Sequence, residues 1–201
     1  MDLFNTNKTP IHLDMPDATV AYYPNFFDAT KSNQLFETLL KTINWQQDKI
    51  TVYGKTFPQP RLTALYGNNN KPYTYSNITM TPELFTKELI WIKKEIEKVC
   101  AVNFTTCLLN LYRNGQDSNG WHADNEKELG KEPYIASLSF GERRWFHFKH
   151  KENVDQKLKI ALNPGSLLVM KGKTQEYWLH QIPKTQKKIG PRINITFRII
   201  T

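Results

Sequence analysis

Residues 192–200 read Arg-Ile-Asn-Ile-Thr-Phe-Arg-Ile-Ile, and this alternation constrains the fold more than any other feature of the chain. A strand turns successive side chains to opposite faces, so Arg192, Asn194, Thr196 and Arg198 share one face and Ile193, Ile195, Phe197 and Ile199 the other. The apolar face needs a core. The polar face, with two arginines, needs either solvent or anionic partners. β-type runs also cover residues 105–112, 134–140, 145–149, 157–162, 166–170 and 177–182. Seven such runs separated by turn signals predict an all-β sandwich or barrel. Ahead of them, Asp28 can cap a helix running to Ile43 with Leu35, Leu39 and Leu40 on one face. Thr81-Pro82 is expected to open a second helix that ends at Cys100 and carries Phe85, Leu89, Ile92, Ile96 and Val99 as a stripe. Both stripes read as core packing, which sets the helices outside the β unit.

A length of 201 residues with 39% hydrophobic content suits one domain, 1–201, with a core of its own. We expect residues 1–104 to supply the helices, and 105–201 to form the β core. A mean hydropathy of −0.57 and the lack of an 18-residue apolar run predict no membrane span. The start MDLFNTNKTP has no secretory apolar region. The expectation is a soluble, intracellular monomer, cytoplasmic in a prokaryote and open to the nucleus in a eukaryote. Lys and Arg number 27 against 19 Asp and Glu, a net charge of +8, which favours a polyanionic partner. Cys100 and Cys107 lack Cys-x-x-Cys spacing and read as buried free thiols. Any metal site must therefore draw on histidine and carboxylate.

His122-Ala123-Asp124 places two potential ligands at i and i+2, on one side of an extended segment. His180 sits in a strand-like run, sharing a face with Trp178 and Ile182, and alone would read as a core histidine. Taken together, the three can form a two-His, one-carboxylate facial site that leaves metal positions open. Arg192 and Arg198 on the last run would then suit a dicarboxylate ligand through charge-assisted bonds.

With these residues in view, the chain resembles the AlkB family of Fe(II)- and 2-oxoglutarate-dependent dioxygenases, and most closely its branch that repairs double-stranded DNA. The resemblance rests on Val52-Tyr53-Gly54, Pro60-Arg61, Leu65-Tyr66-Gly67, Asn110-Leu111-Tyr112-Arg113, His122-Ala123-Asp124, 137–141, 164–168, His180 and 191–198. It implies an α+β, mainly β fold, a double-stranded β-helix or jelly roll packed by helices from the N-terminal half. It further implies Fe(II) on His122, Asp124 and His180. 2-Oxoglutarate would lie among Asn110, Tyr112, Arg192, Asn194, Thr196 and Arg198. Arg192, with Tyr112 and Asn194, would take the distal carboxylate; Arg198 and Asn110 would take the one beside the keto group. With O2 as the other cosubstrate, the implied reaction hydroxylates N-methyl groups on bases such as 1-methyladenine and 3-methylcytosine, releasing formaldehyde, and also removes etheno adducts.

An enzyme of this kind must extrude its base from a duplex. By the resemblance Tyr53 and Gly54 form a finger that enters the stack, and Tyr73 and Tyr75 belong to a lid in which Tyr75 stacks on the base opposite His122. Arg61 borders the pocket. Lys184, Lys187 and Lys188 suit backbone phosphates. Asn125 stands where duplex-repair relatives usually carry an acid, and Glu126 follows it as a substitute charge for a cationic lesion. DNA, double- or single-stranded, is the expected partner. RNA demethylation, hydroxylation of protein or small molecules, and a non-catalytic binding module are the other readings the residues leave open.

Overall fold

Asp28 caps the first helix as its position predicts, its Oδ1 accepting the Lys31 N–H at 2.7 Å. The computed structural model describes residues 9–52, 55–68, 73–75 and 78–200. Its helices are α1 (Ala29–Thr42), α2 (Lys87–Cys100) and the short α3 (Thr174–Tyr177). The strands ahead of α2 are β1 (Ile11–His12), β2 (Thr19–Tyr23), β3 (Lys49–Val52), β4 (Lys55–Pro58), β5 (Leu62–Gly67), β6 (Tyr73–Tyr75), β7 (Ile78–Met80) and β8 (Glu83–Leu84). Those after it are β9 (Thr106–Tyr112), β10 (Asn119–His122), β11 (Ile135–Gly141), β12 (Arg144–His150), β13 (Lys157–Leu162), β14 (Leu167–Lys171), β15 (Trp178–Ile182) and β16 (Arg192–Arg198).

Eight strands form one sheet in the order β1-β2-β14-β11-β16-β9-β5-β8, and four form a second in the order β10-β15-β12-β13. Each predicted β run is present, most with ends shifted by a residue. Tyr177 belongs to α3 instead of to the strand after it. The large sheet also reaches back ahead of residue 105, since β2 pairs with β14 and β5 with β9. The second helix begins later than Thr81-Pro82 predicts. Glu83 and Leu84 are extended and pair in parallel with Tyr66 and Gly67, so the cap falls to Thr86, whose Oγ1 accepts the Leu89 N–H at 3.3 Å.

One core lies between the helices and the large sheet, where Leu35, Leu39, Leu89, Ile92 and Ile96 meet Ile193, Ile195 and Phe197. A second lies between the sheets, where Leu108, Leu168 and Met170 face Phe146, Phe148, Trp178 and Ile182. The large sheet is thus covered on both faces, which explains why all seven residues of β16 are buried. Gly165 shows how tightly the layers close. It has φ +75°, and a Cβ there would fall 2.4 Å from the Phe27 carbonyl oxygen. Among the described residues no helix is long and apolar enough to cross a membrane.

Candidate active site

β10 and β15 run antiparallel with His122 opposite His180, which sets the two ring centroids 4.2 Å apart between the sheets. Asp124 follows two residues past the end of β10, and its Oδ1 lies 3.9 Å from His122 Nε2. One ligand atom from each of the three residues lies within 4.8 Å of the others. Elsewhere the histidines are held by their surroundings. His122 Nδ1 is 2.7 Å from the Gly120 carbonyl oxygen, so it carries the proton, and Nε2, which accepts from Asn119 Nδ2 at 3.1 Å, is the nitrogen that can turn to a ligand. His180 stacks on Phe146 at 5.2 Å.

Burial pushes the His180 imidazolium down to about 3, with His122 beside it acting in the same sense, and burial lowers His122 too. Both rings are therefore neutral at pH 7. Burial alone would raise Asp124, but Arg198 and the two histidines hold its carboxyl below the usual range. Arg198 donates Nη2–H to Asp124 Oδ2 at 2.9 Å, and Gln175 Oε1 accepts the Asp124 backbone N–H at 2.9 Å. Asp124 Oδ1 is buried and has no hydrogen-bond partner among the described residues. Two neutral imidazoles beside an ionised carboxylate with an unused oxygen form the donor set that a divalent iron takes.

The polar face of β16 continues this site. Arg192 donates Nη2–H to Ser139 Oγ at 2.8 Å, while its Nε and Nη1 have no hydrogen-bond partner among the described residues. Its guanidinium lies 5.3 Å from the centre of the Tyr112 ring. Burial lowers Arg192 to about 10, which leaves it cationic at neutral pH with no carboxylate of the described residues paired to it. A buried cation in that state calls for an anion. Asn194 donates to Ser137 Oγ and the Leu138 carbonyl, and Thr196 donates to Asn194 Oδ1. Asn110 Oδ1 accepts from Arg61 Nε at 2.7 Å. These side chains line one cavity with His122, Asp124 and His180, and its free space is about 30 Å³. That holds a water molecule or two.

All nine residues expected for iron and 2-oxoglutarate thus converge. The expected nucleic-acid residues lie apart from this lining or outside what the structure describes. Tyr53 and Gly54 lie outside the described residues, and Tyr73 and Tyr75 are placed by their backbone, as β6 paired with β7. Arg61 is buried, 4% exposed, and it braces Asn110 and the Ser118 carbonyl. Asn125 is exposed and borders a separate groove with Lys131, Glu132 and Glu176; Glu126 is half-buried. Lys184, Lys187 and Lys188 are exposed on the loop before β16. The sequence reading missed Arg144, which is buried and donates to the carbonyls of Asn114, Asp117 and Pro183. Its inward register with Phe146 and Phe148 was the available signal. For Gln175, on α3, no pattern in the sequence points to Asp124.

Paired sheets enclosing two histidines, a carboxylate and an arginine with no carboxylate partner define the class of metal-dependent oxygenase in which relatives should be found. A profile of the 2OG-Fe(II) oxygenase superfamily matches residues 19–198. The alpha-ketoglutarate-dependent dioxygenase alkB homolog 3 of Mus musculus is 42% identical over 190 residues, covering 90% of this chain and 66% of that protein. The DNA oxidative demethylase ALKBH2 of Homo sapiens is 33% identical over 188 residues, 89% of this chain and 72% of the relative. In fold, OsALKBH1 superposes with a TM-score of 0.65 at 18% identity, over 89% of this chain and 97% of that one. The chain belongs to the 2OG-Fe(II) oxygenase superfamily and, within it, to the AlkB family, with the expected jelly roll. It spans 66% of the length of the alkB homolog 3 protein of Mus musculus.

Proposed function

We propose that this chain, acting as one catalytic domain, is an Fe(II)- and 2-oxoglutarate-dependent dioxygenase that removes small alkyl groups from nucleic-acid bases. The observation that carries the reading is the convergence of two neutral histidines and an ionised aspartate beside an arginine buried without a carboxylate partner. Iron(II) bound with 2-oxoglutarate and O2 supplies hydroxylation of a C–H bond, the cosubstrate leaving as succinate and carbon dioxide.

The chain's own residues do the positioning. His122, Asp124 and His180 hold the metal, and Arg198, already bonded to Asp124, keeps that carboxylate ionised. Arg192, with Tyr112 and Asn194, takes the distal carboxylate of the cosubstrate, and Asn110 and Arg198 address the carboxylate beside the keto group. Thr196 orients Asn194. Hydroxylation of an N-methyl carbon gives an N-hydroxymethyl base, which collapses to formaldehyde and the restored base. Tyr53 and Gly54 serve as the finger that fills a duplex, Tyr73 and Tyr75 as the lid, and Asn125 and Glu126 set the charge met by a cationic lesion. Lys184, Lys187 and Lys188 meet phosphates. The enzyme acts as a monomer inside the cell, on DNA in the first place.

The test is incubation with Fe(II), ascorbate and 2-oxoglutarate on matched single- and double-stranded oligonucleotides carrying 1-methyladenine or 3-methylcytosine, scored by mass. Loss of one methyl mass with stoichiometric succinate is expected. 2-Oxoglutarate turnover without demethylation of any strand would move the substrate to protein or small molecules, and preference for RNA strands would move it to RNA.

A further inference from the structure

The outer face of the small sheet is basic and aromatic in composition. The strands β10, β12, β13 and β15 contain no aspartate or glutamate. Outward on β12 stand Trp145, His147 and Lys149. Across from them on β13, Lys159 is opposite His147 and Lys157 is opposite Lys149. Trp145 is 50% exposed, the most open of the exposed tryptophans Trp91, Trp121 and Trp145. The Arg143 guanidinium lies 5.6 Å from the centre of its ring.

The loop after β15 folds over this end of the sheet and makes a groove of about 490 Å³. Trp145, His147 and Arg143 form one wall, and Pro183, Lys184 and Lys187 the other. The second wall is fixed in place. Arg144, reaching from the inner side, donates to the Pro183 carbonyl at 2.7 Å, and the Gly115 carbonyl accepts the Thr185 N–H at 2.8 Å. Gly115 lets that approach happen, since a Cβ there would lie 2.7 Å from the Thr185 oxygen. The carboxylate lining the groove, Glu142, accepts the backbone N–H groups of Arg143 and Gly190, and it stands against the cations Arg143, Arg144, Lys184 and Lys187, so the lining is net positive.

A flat ring flanked by cations suits a ligand that pairs a π-face with a phosphate. A nucleotide has both, whereas a run of acidic side chains brings the charge alone. Stacking requires the base to be unpaired, and it tolerates any base because every base has a face. Phe146, between Trp145 and His147 on β12, points inward and stacks on His180, so the groove and the iron site occupy opposite faces of the same strand. We propose that the groove is a second contact for single-stranded nucleic acid, stacking an unpaired base on Trp145 and holding its phosphates with Lys184, Lys187 and Arg143. This rests on the reading of the chain as a nucleic-acid enzyme and adds an anchoring point outside the active site.

The test is fluorescence anisotropy of a labelled, unmethylated single-stranded oligonucleotide across a salt series, with turnover of a methylated strand measured in parallel. Trp145→Ala should weaken binding about tenfold with the salt slope unchanged, and Trp145→Phe should recover most of the loss. Replacing Lys184 and Lys187 together by Gln should flatten the log–log salt slope by about 1.4, roughly 0.7 per phosphate contact on a single strand. A melting temperature equal to that of the wild type checks the fold of each variant. Equal affinity of Trp145→Ala and wild type overturns the proposal, as does an unchanged slope in the double lysine variant. Trp145-dependent binding of a polyglutamate peptide in place of the oligonucleotide also overturns it. Trp145-dependent oligonucleotide binding without any base oxidation overturns the enzymatic reading and leaves the groove standing; normal turnover with Trp145-independent binding does the reverse.

Discussion

The two sheets solve opposite problems with the same alternation of residues. In the large sheet, β16 alternates polar and apolar side chains and is buried on both faces, so its polar face becomes the wall of a site. In the small sheet, β12 alternates in the same way, but only Arg144, Phe146, Phe148 and His150 are buried, and Trp145 faces solvent. Alternation tells which side chains share a face. Whether a polar face is wet depends on whether a second layer covers it. The sheets also divide the chemistry, since His122 and His180 come from the small one and the arginines from the large one.

Removing one group from each sheet should show this division at its largest. His180→Ala takes a ligand from the small sheet and should reduce turnover below detection, read as succinate formed. Arg192→Lys, on the large sheet, should keep turnover but raise the 2-oxoglutarate needed for half-maximal rate by about 10–100-fold, because a forked, charged donor is replaced by a point charge. Asp124→Ala joins both sheets' losses. It abolishes turnover and removes the carboxylate to which the buried Arg198 donates, so chemical denaturation should show about 3–5 kcal/mol less stability. Equal stability of Asp124→Ala and wild type would separate the two sheets energetically.

A smaller contrast isolates packing. Phe197→Ala, on the covered apolar face of β16, should cost about 3–5 kcal/mol, whereas Trp145→Ala should change stability by less than about 0.5 kcal/mol. Denaturant midpoints at constant slope decide it. An effect absent at neutral pH concerns the helix side of the large sheet, where burial holds the Cys100 thiol up at about 11 and Cys107 well above its usual value. Both folded-state values are raised, so stability is intact below pH 9, where both states keep the proton. It falls as the pH rises from 9 toward 11, by up to about 1.4 kcal/mol per pH unit for each thiol. Melting against pH, compared with Cys100→Ala, measures this.

These contrasts also explain what could be read in advance. The candidate iron ligands and the β16 face could be picked out because their residue types are costly anywhere but in a site: a buried arginine needs an anion, and His-x-Asp with a later histidine offers a ligand set. The start of α2 was not legible, because Thr81-Pro82 is as good an opening locally as Thr86. The pairing of β8 with β5, distant in sequence, decides between them. Arg61 was placed at the pocket edge, yet it is buried as a brace for Asn110. An arginine's partner lies in three dimensions, and its neighbours in sequence do not name it.

The position of β16 has a bearing on how the molecule is made. It is inserted between β9 and β11, and it pairs Arg192 with Tyr112 and Arg198 with Thr106, residues synthesised long before it. Until residues 192–198 have left the ribosome, β9 and β11 each present an open edge, and the gap between them is closed by no other segment in the described sheet. Arg198 and Arg192 arrive on that same strand. Completing the sheet and charging the active site are therefore one event, and a nascent chain that stalls before β16 lacks the cation that holds Asp124 ionised.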